Sequence, residues 1–201
     1  KRPHKPLAVM FPLRGGDGLD VARLYLDLDA RTRDALCDPA RAIVLARKRE
    51  DAPLAASIAP GLDEIGAFMP YSPFHHVLLM AFDGPLVATS ANISGEPVLT
   101  EAAEVEARLG GVADVFLHHD RAIARPADDS VVRPIAGAAR PMRLGRGLAP
   151  LELNAPYHLD EPVLALGGHM KAALALGWKD RIVLAPHIGD LGSARAMDVL
   201  A

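Results

Sequence analysis

The sequence predicts an α/β protein, and three observations carry the prediction. Short uncharged runs, such as residues 42–46 and 85–88, alternate with segments of helical apolar spacing, such as residues 74–82. Half of the 201 residues are apolar, enough to build a core. The run at 85–88 follows the breaker Gly84 and empties into Thr89-Ser90-Ala91-Asn92-Ile93-Ser94-Gly95, a loop of small hydroxyls, one carboxamide and one glycine. A helix is expected from Thr100, with Glu101 and Glu104 in its first turns. A strand that opens into a polar loop before a helix is where α/β proteins place ligands.

Taken in order, Lys1, Arg2 and Lys5 precede a strand at residues 6–10, and Gly15 to Gly18 form a turn. Val21, Leu24, Tyr25 and Leu28 have helical spacing, and a second helix covers residues 30–36, ahead of Pro39. A buried strand at 42–46, a loop at 57–61 and a strand at 65–69 follow. Pro70-Tyr71-Ser72-Pro73 then leads into the helix at 74–82. Beyond the central loop, strands are expected at 115–117, 128–133 and 141–144, the last two joined through Gly137. Residues 145–162 lack any period, contain three prolines and read as a linker. After it come a strand at 163–166, a turn at Gly167-Gly168, and a hairpin of 172–176 with 182–185 across Trp178-Lys179-Asp180. These short strands suggest the opening of a second domain. The chain starts without Met and its last residues, from Ser193, read as a helix just begun, so it is expected to be cropped at both ends.

Composition removes several classes. Aromatics make up 4%, too few for a stacking platform for single-stranded nucleic acid. A net charge of −3 argues against general affinity for nucleic acid or anionic membranes, although a local basic pocket stays open. The one cysteine, Cys37, excludes an intrachain disulfide framework and a thiolate metal cluster. No apolar run reaches the length of a membrane span and no signal peptide is visible, so the expected location is the cytoplasm.

The chemistry-bearing residues fall into groups. Arg2, Lys5, Arg143 and Arg146 flank expected strand ends. Arginine forks match phosphate bidentately and lysine supplies a mobile charge, so with Ser90 and Asn92 they suit a nucleotide triphosphate. Neither a Walker-type loop nor GxGxxG occurs. The plainer alternatives are solvated surface cations and a loop that serves only its own backbone. Asp128-Asp129-Ser130 could hold Mg²⁺ near phosphates or simply turn into a strand. His75 and His76 are adjacent on a helix and point about 100° apart, a poor chelating pair. His118-His119-Asp120 has no partner cluster at ligand spacing. No GxSxG elbow supports a hydrolase. Gly167-Gly168 with Lys171, and His187 with Asp190, form a second candidate phosphate-contacting region, or plain turns.

The ordered segments RPHKPLAVM, SIAPGL, PYSPFHH, TSANISGEP, HDRAIARPADDSVVR, MRLGRGLAP, LALGGHMK and PHIGDL resemble the HypF carbamoyltransferases of NiFe-hydrogenase maturation across nearly the whole chain. The resemblance implies a YrdC-like twisted mixed sheet with flanking helices over residues 1–147. A linker at 148–161 and the first strands of an actin/Hsp70-like domain at 162–201 would follow. It further implies that carbamate from carbamoyl phosphate is joined to ATP, with Mg²⁺, as carbamoyl-adenylate. The carbamoyl group would then pass to the C-terminal cysteine of HypE, to become a cyanide ligand. Arg2, Lys5 and Arg143 would be catalytic. Ser90, Asn92, Ser130 and Arg146 would hold nucleotide, with Pro70 to Pro73 near the carbamoyl end. Gly167, Gly168, Lys171, His187 and Asp190 would fall in a second nucleotide site. Zinc-binding cysteine pairs and a histidine metal site belong to parts of the family outside this sequence. Ala172-Ala173 departs from the Asn-Thr common after the lysine. Rival readings are a threonylcarbamoyl-adenylate synthase for tRNA modification and a non-catalytic RNA-binding module.

Overall fold

A computed structural model describes residues 6–201. They divide into two compact units, one of residues 6–89 with Asp129–Arg143, the other of Ser90–Asp128 with Leu144–Ala201.

The first unit is a mixed six-stranded sheet. Its strands are β1 (Ala8–Met10), β2 (Ile43–Arg47), β3 (Glu64–Phe68), β4 (Leu86–Ala88), β5 (Val131–Ile135) and β6 (Ala138–Arg143), in the order β4-β1-β3-β2-β5-β6. β1 runs parallel to β3 and β2 to β5, while the remaining pairs are antiparallel. Two helices flank it, α1 (Ala30–Cys37) and α2 (Pro73–Phe82). This is the α/β class expected, and the apolar runs explain it: Val44, Ala46, Ile65 and Ala67 are buried in the middle of the sheet. Met10, Phe68 and Leu79 form a core cluster with Ala8, Ile43, Leu86 and Ala88 against it. Leu79 alone anchors α2, its burial contributing roughly 1.5–3 kcal/mol. Both helices start at side-chain caps. Asp29 accepts from the Thr32 N–H at 2.7 Å, and Ser72 accepts from the His75 N–H at 3.2 Å, with Pro73 in the first turn.

The segment around Val21–Leu28 departs from expectation. It forms only a 3-10 turn at Ala22–Leu24. The backbone beyond it is drawn alongside the next strand: Asp27 N–H donates to Arg47 O, and Arg49 N–H to Tyr25 O, both at 2.9 Å. Those bonds compete with helix propagation and win.

The second unit contains α3 (Ala102–Leu109), β7 (Leu151–Leu166), β8 (Leu174–Leu184) and α4 (Ala194–Leu200). α3 begins at Ala102, two residues after the expected start at Thr100, and without a side-chain cap bond. α4 is capped by Ser193, whose hydroxyl accepts from the Ala196 N–H at 3.2 Å. β7 and β8 make an antiparallel ribbon running from Leu151↔Leu184 to Leu166↔Leu174. Three expectations are corrected here. Most of the expected linker, 151–162, is strand, because its polar backbone is paired by β8 despite Pro156 and Pro162. The expected hairpin at 172–185 is one strand, since Trp178-Lys179-Asp180 makes an irregularity with Lys179 at φ 53° rather than a reversal. Residues 115–117 belong to no strand, and Val115 and Leu117 are 83% and 72% exposed. Among the described residues, no helix is long and apolar enough to cross a membrane.

Candidate functional site

The loop after β4 is built around Asn92. Its side chain is 6% exposed and works at both ends. The Ser90 hydroxyl donates to Asn92 Oδ1 at 2.7 Å, and Asn92 Nδ2 donates to the Glu96 carbonyl at 2.6 Å. Backbone bonds from Asn92 N–H to Ser90 O and from Leu99 N–H to Ala91 O, each 3.0 Å, close the base. Asn92 is therefore the strut that shapes the loop. Ser90 commits its one proton to that strut, so any further partner of its hydroxyl must be a donor or a cation.

The same unit brings the candidate glycine turns against this loop. Gly95 takes φ +90°, where a side chain is strained, and its carbonyl accepts from Asp190 N–H at 3.2 Å. Asp190 Oδ1 in turn accepts from Lys171 N–H at 2.8 Å. Ala172 pairs with Gly189, with bonds of 2.8 and 2.9 Å on either side. A Cβ on Gly167 would lie 2.4 Å from Ala173 O, so packing alone demands glycine there, whereas Gly168 faces open space. His187 N–H donates to Leu144 O and Arg146 N–H to Asp128 O, both at 2.8 Å. Gly95, Lys171 and Asp190 thus form one bonded cluster, and Asn92 holds the adjoining Glu96 carbonyl.

Beside it lies a cavity of about 360 Å³ whose walls include Glu96, Arg125, Asp128, Leu174, His187 and Val199. Of these, sequence reading singled out Asp128 and His187. Arg125 and Glu96 were missed as site residues, although both lie in the quoted segments HDRAIARPADDSVVR and TSANISGEP.

The sheet unit carries the remaining candidates. Ser130 is fully buried and its carbonyl accepts from Ile43 N–H at 2.8 Å. Arg143, at the end of β6, donates through Nε to Asp129 O at 2.9 Å. An open cavity of about 590 Å³ is lined by Arg41, Pro70, Tyr71, Ser72 and His76, the expected carbamoyl end. The Tyr71 ring meets His75 edge-on at 4.5 Å. Arg2 and Lys5 lie outside the described residues. His118 pairs with Glu106 at 2.7 Å, and no group of three or more His, Cys, Asp or Glu poised for a metal occurs among the described residues.

Comparison with known proteins divides the chain by sequence instead, with residues 90–128 falling in the first match. A model of the Sua5/YciO/YrdC family, described as telomere recombination, matches residues 1–145, and one of the HypF Kae1-like domain matches residues 158–201. Carbamoyltransferase HypF of Rhodobacter capsulatus is 42% identical over 196 residues, covering 96% of this chain and 25% of the relative. Carbamoyltransferase HypF of Synechocystis is 38% identical over 193 residues, covering 96% and 24%. A crystal structure of full-length HypF in the phosphate- and nucleotide-bound form superposes with a TM-score of 0.90 at 34% identity, covering 98% of this chain and 30% of that one. The chain spans about a quarter of the length of the curated relatives it matches.

Proposed function

Because the chain belongs to the Sua5/YciO/YrdC family, we propose that it is the carbamoyl-activating part of a HypF-type carbamoyltransferase. A carbamate oxygen attacks the α-phosphorus of ATP, the bond to the β-phosphate oxygen breaks, and carbamoyl-adenylate and pyrophosphate result. The carbamoyl group then passes to the C-terminal cysteine thiol of HypE, releasing AMP, as a step toward the cyanide ligand of a NiFe-hydrogenase. On this reading residues 1–147 form the adenylating domain and residues 162–201 open the transfer domain.

The observation that carries the reading is the Ser90–Gly95 loop, held in shape by a buried Asn92 at the end of β4 and bonded to the glycine turns of the tail. The relative of TM-score 0.90 was crystallised with phosphate and nucleotide, and this chain aligns with 30% of it.

The residues present suit the substrates. The cavity of about 360 Å³ is within the range of ligand sites and carries Arg125, Asp128 and His187. Mg²⁺ commonly binds through one or two carboxylates plus phosphates, so Asp128 suffices as a protein ligand beside a triphosphate. It would supply charge neutralisation of the phosphates. Arg143, Arg146, Arg2 and Lys5 would stabilise charge developing on the α-phosphate and the leaving pyrophosphate. Ser90 and Ser130 would orient the nucleotide. Gly167, Gly168, Lys171, His187 and Asp190 would serve the nucleotide of the transfer step. A mixed anhydride hydrolyses readily, so the apolar cavity walls, among them Leu174 and Val199, would keep water from it.

The test is carbamate-dependent ATP–pyrophosphate exchange by the full-length protein. Arg143→Ala should slow exchange by roughly a hundredfold, the usual effect of removing one charge-stabilising donor. Unchanged exchange refutes the role of Arg143. Exchange that needs threonine and bicarbonate instead of carbamoyl phosphate assigns the chain to threonylcarbamoyl-adenylate synthesis.

A further inference from the structure

Two contact systems join the Ser90–Glu96 loop to the chain's last forty residues, and both lie within one unit. The first centres on Asp190. Its backbone N–H donates to Gly95 O at 3.2 Å, while its carboxylate Oδ1 accepts from Lys171 N–H at 2.8 Å. Gly189 packs so closely that a Cβ there would stand 3.3 Å from Gly95 O, and a Cβ on Gly95 would stand 3.6 Å from Asp190 Oδ2. Lys171 holds φ 52°, a conformation costly for a residue with a side chain, so its N–H direction is fixed at some expense. The second system is ionic. Arg108 pairs with Glu96 at 2.7 Å and with Glu104 at 3.5 Å, and Glu104 also binds Arg195 of α4. All four side chains are at most one-third exposed, so solvent screens them less than surface pairs.

We propose that Asp190 is a positioning residue that fixes the Ser90–Glu96 loop through the Lys171 turn, so that the tail's turn sets the affinity of the activation site for ATP. The inference rests on the proposed function, since it takes the loop as the ATP-handling segment of the activation step. Asp190 acts through Gly95 and Lys171, and its carboxylate need not touch the first nucleotide. Asp190 thus holds the loop through its backbone N–H and the Lys171 turn through its carboxylate, so loosening the carboxylate's grip on the turn loosens the backbone that the loop rests on.

The experiment uses the full-length protein with Asp190→Ala and Asp190→Asn. Asparagine keeps a side-chain oxygen for Lys171 N–H, and alanine removes it. Two readouts are taken. Amide hydrogen exchange over residues 91–99 reports the loop bonds from Asn92, Glu96 and Leu99 N–H. ATP–pyrophosphate exchange reports KM for ATP and kcat. Asp190→Ala should speed amide exchange at 91–99 and raise KM for ATP by about three- to tenfold, with a smaller change in kcat. Asp190→Asn should restore both. The inference is overturned if Asp190→Ala leaves amide exchange and KM unchanged while carbamoyl transfer to HypE falls, which would confine Asp190 to the transfer step. It is equally overturned if Asp190→Asn fails to restore either readout. Wild-type protein that gives no carbamate-dependent pyrophosphate exchange overturns the proposed function, and with it the KM effect. Protection at 91–99 that still depends on Asp190 would then show the failure to lie in the assigned reaction and not in the contact.

Discussion

The Ser90 hydroxyl donates to Asn92 Oδ1, and Asn92 answers through Nδ2, which donates to the Glu96 carbonyl. The carboxamide supplies an acceptor and a donor from one planar group, and an ionised carboxylate cannot. Asn92→Ala deletes both bonds and leaves a half-buried hydroxyl and a carbonyl to find other partners, at a cost of about 1–3 kcal/mol. Asn92→Asp keeps the acceptor for Ser90 but turns an oxygen toward the Glu96 carbonyl, so it should cost as much at neutral pH. Urea denaturation measures both. Wild-type stability for the aspartate variant would mean that the amide does not face Glu96.

How much of this was legible in sequence depends on whether a feature is written in neighbouring residues. The uncharged runs at 42–46 and 65–69 announced β2 and β3, and α2 shows as a Ser-Pro start followed by apolar residues. The strand–loop–helix setting of Ser90 and Asn92 was equally visible. Of β7 only the end at 163–166 was, because residues 151–162 mix polar side chains with two prolines, so that stretch depends on β8, its partner across a turn. Val115 to Leu117 failed in the opposite way: a short apolar run found no strand to pair with and stays exposed. Within the site, residue types suggested ligand contacts for both Asn92 and Gly167. The fold gives each a local reason as well, the hydrogen bonds to Ser90 and Glu96 and the close approach of Ala173 O. Such reasons depend on pairs distant in sequence or on side-chain direction, and neither is encoded in a motif.

In the turn before Ala22, Asp17 faces Arg23, with Arg23 Nη1 donating to Asp17 Oδ1 at 2.9 Å and Nη2 donating to Oδ2. That guanidinium, helped by the Leu19 N–H, lowers the Asp17 carboxyl from 3.8 to about 2. Since the folded value lies below the unfolded one, the contribution to stability is complete above pH 3.8, fades as pH falls from 3.8 toward about 2, and is gone below. Arg23→Met should raise the Asp17 titration most of the way back to the ordinary carboxylate range, read from its side-chain carbonyl shift by NMR. It should also flatten the loss of stability between pH 4 and pH 2. A titration midpoint still near the wild-type value would assign the shift to the Leu19 N–H instead.

Gly66 sits in β3 between two paired neighbours, opposite Ala8 on β1 and Leu45 on β2. A Cβ there would stand 2.8 Å from the Ile43 Cγ2 methyl and 3.4 Å from Ala8 Cβ. Because hydrogen bonds hold β3 on both edges, the strand cannot withdraw, and the side chains or the sheet spacing must give instead. Gly66→Ala should therefore destabilise the protein by about 1–3 kcal/mol, against the usual gain of replacing a strand glycine. The cause is separable from backbone effects. Ile43→Ala removes the methyl that obstructs, at its own cost of about 2–5 kcal/mol as a cavity. The double variant should then be less destabilised than the sum of the single variants, by at least about 0.5 kcal/mol, as expected for residues in contact. Urea denaturation of the four proteins closes the cycle. Strict additivity would show that the new methyl never meets Ile43, and that the glycine is kept for the close approach of Ala8 alone.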